Sequence, residues 1–268
     1  MGPLETALRA CRDGGGHAFV PYVTGGFPAV DAVLLRGLQD AGADAIEVGI
    51  PFSDPVMDGG VIQEASRRSL EAGSTPGAVL STIAEASLSI PVAVMTYVNP
   101  VLRIGIGAFL DVARDAGVGG VIVPDLPVDE AELLSEEAEA RGIDAVLLAA
   151  PGTGADRLDA IAARAHGFVY CVATYGVTGA RDELAVTARS LVEALRPRTD
   201  LPLLVGVGIA TPVHATQACE FADGVIVGSA FMARLVEDDG PGALALASSF
   251  REATGGSVPA VRGRGPRA

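Results

Sequence analysis

Ala43-Asp44-Ala45-Ile46-Glu47-Val48-Gly49 is the stretch that decides the fold, because the chain repeats its pattern. Val118-Gly119-Gly120-Val121-Ile122-Val123-Pro124 and Ala222-Asp223-Gly224-Val225-Ile226-Val227-Gly228 keep the same order: small residues, then β-branched ones, then Gly or Pro. That order suits a buried parallel strand running into the loop at its end. Similar apolar runs extend the set to residues 18–23, 44–50, 91–97, 119–124, 144–149, 167–173, 202–208 and 223–228. Segments of helical spacing lie between them. Asp31 can cap a helix over 31–41 that carries Val33, Leu34 and Leu38. A second helix over 129–140 opens on acids, which suits the positive end of a helix dipole, and stops at Gly142. Its apolar face is predicted from Leu133, Leu134 and Ala138. Eight such strands in about 230 residues repeat every ~29 residues, the spacing of an α/β protein built as a single (β/α)8, or TIM, barrel. An open doubly wound sheet uses the same alternation. Eight units are unusual for it, and no Gly-x-Gly-x-x-Gly follows the first strand.

No linker interrupts residues 1–254, which predicts one barrel domain. Residues 255–268 carry Arg262, Arg264 and Arg267 among Gly, Pro and Ala, with no acid, and read as a disordered tail. The chain has 268 residues, 49% of them hydrophobic and 19% charged, which is enough for one large core. A formal charge of -14 repels phosphate backbones and argues against a nucleic-acid role. No run of about 18 apolar residues offers a membrane span, and the first residues lack the pattern of a signal peptide. All 19 basic residues are arginine. Without lysine, the chain can form no lysine imine with a carbonyl substrate or with pyridoxal phosphate, and it has no Walker-A lysine. Cys11, Cys171 and Cys219 are far apart and read as small buried hydrophobes in a reducing compartment. His17, His166 and His214 match no metal-ligand spacing, so no metal is expected.

The chemistry concentrates at Glu47. Alternation along its strand groups Ile46, Val48 and Ile50 on one face and Ala45, Glu47 and Gly49 on the other. If the β-branched set faces the helices, Glu47 points into the barrel, where desolvation raises its pKa toward neutrality. The alternative is a glutamate paired at the rim. The loop Pro51-Phe52-Ser53-Asp54-Pro55-Val56-Met57-Asp58-Gly59-Gly60 follows directly, and barrel enzymes keep their reactive groups in such loops. Its prolines stiffen the first half and its glycine pair leaves the end free. Asp54 and Asp58 are candidate partners for Glu47 or, alternatively, turn and cap residues. Three glycine motifs follow three successive strands: Gly176-Val177-Thr178-Gly179, Gly206-Val207-Gly208-Ile209 and Gly228-Ser229-Ala230. Their order favours a phosphate held by backbone N–H groups and the Ser229 hydroxyl after strands seven and eight. Tyr170, and Tyr97 within Tyr97-Val98-Asn99-Pro100, face ligand or serve as core and turn residues.

Glu47-Val48-Gly49-Ile50-Pro51-Phe52-Ser53-Asp54-Pro55, with Asp58-Gly59 following, resembles the signature of the tryptophan synthase alpha subunit family. Phe19-Val20-Pro21-Tyr22-Val23-Thr24, Met95-Thr96-Tyr97-Val98-Asn99-Pro100, Val123-Pro124-Asp125-Leu126-Pro127 and the glycine motifs extend the similarity over roughly residues 17–235. The resemblance implies a (β/α)8 barrel that cleaves indole-3-glycerol phosphate into indole and glyceraldehyde 3-phosphate, a lyase reaction of tryptophan biosynthesis. Carried over by motif, Glu47 is the catalytic acid/base and Asp58 its partner. Tyr22, Tyr97, Tyr170 and Thr178 are the substrate-binding residues. Gly179, Gly208, Gly228 and Ser229 hold the phosphate. The resemblance implies no cofactor in this chain, a cytoplasmic location, and a pyridoxal-phosphate-dependent beta subunit as partner in an alpha2beta2 heterotetramer. That subunit would join indole to serine, a step this lysine-free chain cannot perform.

The sequence departs from the family at three positions: Phe27 where many relatives carry Asp, Gly60 for a frequent Pro, and the bulky Tyr175 before Gly176. All three are expected in loops that close over substrate or face the partner. Two further readings stand beside the main one. A stand-alone lyase releasing free indole would keep the same residues. A catalytically weak subunit that activates a pyridoxal enzyme is disfavoured by the presence of both Glu47 and Asp58.

Overall fold

The computed structural model describes residues 1–172, 181–206 and 208–256. Eight parallel strands close on themselves in sequence order: β1 (Ala18–Thr24), β2 (Ile46–Gly49), β3 (Val92–Met95), β4 (Val118–Ile122), β5 (Asp144–Ala149), β6 (Val169–Val172), β7 (Leu203–Gly206) and β8 (Gly224–Val227). This is the (β/α)8 barrel that the repeat predicts. Only β5 keeps its predicted limits, and most of the others are shorter, because the ladder ends where the flanking residues turn toward the helices. Strand pairing is staggered. The partner of Tyr22 is Glu47, then Ala93, Gly120 and Asp144, so a residue near the end of β1 lies level with the first residue of β5. This tilt is what closing a sheet into a barrel demands.

The helices are α1 (Pro3–Asp13), α2 (Ala32–Asp40), α3 (Gly60–Glu71), α4 (Pro76–Ala86), α5 (Val98–Ile104), α6 (Ile106–Asp115), α7 (Glu132–Glu139), α8 (Ala155–Arg164), α9 (Arg181–Leu195), α10 (Pro212–Cys219), α11 (Ser229–Val236) and α12 (Gly240–Ala253). Asp31 caps α2 as predicted, accepting the N–H groups of Val33 and Leu34. The two predicted apolar faces need correction. Val33 and Leu133 are exposed, whereas Leu34, Leu35 and Leu38 on α2, and Leu134 and Ala138 on α7, are buried. Helix α7 also starts at Glu132 rather than Asp129, with no side-chain cap.

Two apolar layers result. Outside the barrel, β-branched residues such as Ile46, Val48 and Ile50 pack against the helices. Inside, Ala18, Val20, Ala45, Ala93, Ile122, Val146, Leu204 and Ile226 fill the lumen. Leu4 and Leu8 of α1 join this inner cluster and plug the end of the barrel where the strands begin. The Asp144 carboxylate holds the plug by accepting the Gly2 and Glu5 N–H groups at 3.0 Å each. A carboxylate suits the positive end of a helix.

Candidate active site

Glu47 lies on β2 with its side chain in the lumen, 1% exposed, opposite Tyr22 on β1 and Ala93 on β3. The inward reading of this strand therefore holds, and the rim alternative falls. Neither carboxylate oxygen has a hydrogen-bond partner among the described residues. Burying such a group is costly unless it is neutral or a ligand completes it. Desolvation, reinforced by the nearby Asp58 charge, pushes the Glu47 pKa up to about 8. Glu47 is therefore the proton-carrying group at neutral pH.

Asp58 stands in the loop after β2, directly before the start of α3. Burial raises its pKa to about 6, while the Tyr97 hydroxyl pulls it down. The two carboxyls thus divide into one acid and one carboxylate at pH 7, the split that general acid catalysis beside an electrostatic partner requires. Asp54 is exposed and takes a hydrogen bond from Ser53 Oγ at 2.6 Å, and its carbonyl accepts the Val56 N–H at 2.9 Å. It is a turn residue, not a second partner. The glycine pair does not leave the loop end free. Gly59 is the N-cap of α3 and Gly60 its first residue.

Tyr22 and Tyr170 flank the carboxyls from β1 and β6. Both phenols are raised well above their ordinary pKa, mainly by burial, with Glu47 and Asp58 contributing. They remain neutral donors at any working pH. Glycines make room for their rings. A Cβ at Gly49 would collide with the Tyr22 hydroxyl, and one at Gly206 with the Tyr170 ring. A Cβ at Gly228 would come within 3.1 Å of Tyr22. Gly206, grouped by sequence with the phosphate motifs, thus serves Tyr170. Tyr97 stacks on Phe52, with ring centroids 5.0 Å apart, and its hydroxyl accepts the Met57 N–H at 3.0 Å.

The end of the barrel that holds this group also holds Gly208 and Gly228. Gly208 has φ +91°, a conformation that favours glycine, and is exposed. Gly228 precedes α11 and Ser229 opens it. The Phe231 and Met232 N–H groups both donate to the Gly228 carbonyl at 3.0 Å, which leaves those of Ser229 and Ala230 without a helical acceptor and available to an anion. Thr178, Gly179 and Tyr175 lie outside the described residues. Of the remaining departures, Phe27 lies in the loop after β1 with its side chain buried in the outer apolar layer. Gly60 is exposed, and a Cβ there would meet nothing.

Among the described residues, no group of three or more His, Cys, Asp or Glu side chains converges as a metal site, and no helix is long and apolar enough to cross a membrane. The three cysteines are free. Only Cys171 is fully buried, and burial pushes its thiol up to about 12; Cys11 and Cys219 are half-buried. Sequence reasoning assigned no role to Asp125, whose carboxylate accepts the Val98 N–H at 2.9 Å and so fastens the start of α5. The signal available was its place directly after β4.

Comparison with known proteins matches the model of a family described as tryptophan synthase alpha chain over residues 8–252. A tryptophan synthase alpha chain from Carboxydothermus hydrogenoformans is 47% identical over 225 residues, 82% of this chain and 84% of that protein. One from Synechococcus elongatus is 42% identical over 258 residues, 94% of this chain and 97% of that protein. Among solved structures, tryptophan synthase of Mycobacterium tuberculosis superposes with a TM-score of 0.87 at 36% identity, covering 94% of this chain and 98% of that one. The alpha subunit from Legionella pneumophila gives 0.86 at 33%, covering 95% and 99%.

Proposed function

The chain belongs to the tryptophan synthase alpha chain family, and on that premise we propose that Glu47 and Asp58 carry out its reaction. It is a carbon–carbon lyase that cleaves indole-3-glycerol phosphate into indole and glyceraldehyde 3-phosphate in tryptophan biosynthesis. The stand-alone lyase and the weak activating subunit find no support in the relatives.

One observation carries the assignment: a lumenal glutamate with both oxygens unpartnered among the described residues and a pKa of about 8, beside an aspartate near 6. Carbon–carbon cleavage needs an electron sink, and this chain has no lysine to form an imine. Indole serves as its own sink. Glu47 gives its proton to ring carbon C3, and the ring nitrogen then bears the positive charge. Ionised Asp58 accepts the indole N–H and stabilises that charge. Glu47, now a carboxylate, takes the proton from the glycerol hydroxyl on the carbon bonded to C3. The C–C electron pair returns to the ring, the hydroxyl carbon becomes the aldehyde, and Glu47 ends protonated as it began. Tyr22, Tyr97 and Tyr170 shape the slot around the ring. Gly179, Gly208, Gly228 and Ser229 hold the phosphate, and Thr178 contacts the substrate.

The partner we infer is a pyridoxal-phosphate-dependent beta subunit in an alpha2beta2 assembly in the cytoplasm, since joining indole to serine needs a lysine this chain lacks. The test is incubation of the purified chain with indole-3-glycerol phosphate, scoring indole and triose phosphate. Glu47→Gln should lower kcat by roughly 10²–10⁴-fold with KM little changed. Turnover at the unsubstituted rate would remove Glu47 from the mechanism.

A further inference from the structure

The geometry points to a hydrogen-bonded relay across three neighbouring top loops, in which Asp125 is a positioning residue that acts on Asp58 through Val98, Tyr97 and Met57. This deepens the proposed function and rests on its assignment of Asp58. The relay begins after β4, where Asp125 Oδ1 accepts the Val98 N–H at 2.9 Å. Val98 is the first residue of α5, and Tyr97 is its N-cap. Fixing that N–H fixes the backbone from which the Tyr97 side chain projects. Tyr97 then reaches over to the loop after β2 and fastens it twice. Phe52 stacks on the ring at 5.0 Å, and the Met57 N–H donates to the hydroxyl at 3.0 Å. Met57 is the residue before Asp58. A further turn bond, Asp58 N–H to the Pro55 carbonyl at 3.0 Å, passes the constraint to the carboxylate's own backbone.

The relay places Asp58 and also tunes it. The Tyr97 hydroxyl, whose oxygen accepts from Met57, holds the Asp58 pKa down against the rise from burial and so favours the carboxylate form. The other ionisable groups around Asp58 are Glu47 from β2, Tyr22 from β1 and Tyr170 from β6, all held by strands. Asp58 alone of the set sits on a loop, so its position depends on whatever ties that loop down. Catalytic geometry of this kind is sensitive to displacements of about 1 Å, which cost on the order of a hundredfold in rate.

The test uses the full chain with indole-3-glycerol phosphate, measuring kcat and KM from pH 5 to 9, with thermal melts alongside. Tyr97→Phe keeps the stack on Phe52 and removes the hydroxyl. It should move the acid limb of the profile upward, because Asp58 loses the hydroxyl that holds its pKa down. Asp125→Ala should lower kcat by about ten- to a hundredfold, with a smaller change in KM, and shift the same limb in the same direction. Asp125→Asn retains an oxygen facing Val98 and should restore kcat to within about threefold of the unsubstituted chain. Val98→Pro removes the donor from the other side. Proline is tolerated at a first helical position, and Tyr97, at φ -79° and ψ 157°, already has the extended backbone that precedes proline. It should reproduce Asp125→Ala even if that variant folds poorly. Tyr97→Phe combined with Asp125→Ala should be no worse than the more damaged single variant, since both cut one relay. An unchanged profile in Asp125→Ala and Val98→Pro, or additive losses in the double variant, overturns the relay. Asp58→Asn separates this from the parent reading. If it turns over at the unsubstituted rate, the role of Asp58 falls and the relay with it. If it is inactive while the Asp125 and Val98 variants are normal, the relay alone falls.

Discussion

Glu47 and Asp58 have pKa values displaced in the same direction but by different amounts, and their pH behaviour follows from that. Catalysis needs Glu47 protonated and Asp58 ionised. Activity should therefore rise as pH passes about 6, fall as it passes about 8, and peak between them. A pH profile of kcat/KM for the free enzyme reads both limbs, and in Asp58→Asn the acid limb should disappear. Stability carries the opposite signature. A carboxyl with a raised folded pKa holds its proton more tightly in the native state than in the unfolded one. The stability that this contributes is complete below the unfolded value of about 4.5 and is lost as pH rises through about 8. Glu47→Gln should remove that loss. Its melting temperature should exceed that of the unsubstituted chain at pH 8.5 by more than at pH 5, a comparison that thermal melts at the two values settle. The inward aim of Glu47 was legible from strand alternation, whereas its lack of partners was not, since partners come from other strands.

Helix starts and strand ends are where local sequence and tertiary contact divide the work. Asp31 announces α2 because a carboxylate accepting two backbone N–H groups is a purely local device. The run of acids from Asp129 suits a helix dipole, yet α7 begins only at Glu132, because the backbone before it is still turning. Glycine at strand ends has a long-range cause. Gly49 and Gly206 are needed because tyrosines from neighbouring strands occupy the space of a Cβ, which no local pattern records. Gly60 is the contrasting case. It sits at the first position of α3, its Cβ would meet nothing, and Gly59 before it is extended at φ -73° and ψ 162°. Gly60→Pro should therefore stabilise the chain by about 0.4–1 kcal/mol, by restricting the unfolded state. Denaturant unfolding checks the sign, and a loss of stability would mean that the α3 entry is strained.

Across the whole molecule, α1 closes one end of the barrel and leaves the other for chemistry. Leu8 is 1% exposed within the lumenal cluster. Leu8→Ala should cost about 2–5 kcal/mol by opening a cavity there. Because the plug lies at the opposite end from Glu47, kcat measured well below the melting temperature should be nearly unchanged; a matching fall in kcat would show the two ends to be coupled. The sequence by itself determined the eight-strand repeat, the face on which Glu47 lies, the absence of lysine and the glycines near strand ends. Each of these is set by nearest neighbours along the chain or by composition. Only the tertiary structure decided that Glu47 has no hydrogen-bond partner among the described residues, that Gly206 accommodates Tyr170, that Phe27 is buried, and that Asp125 fastens the start of α5. Those facts depend on which strands become neighbours and at what stagger, and barrel closure brings together residues that no local spacing relates.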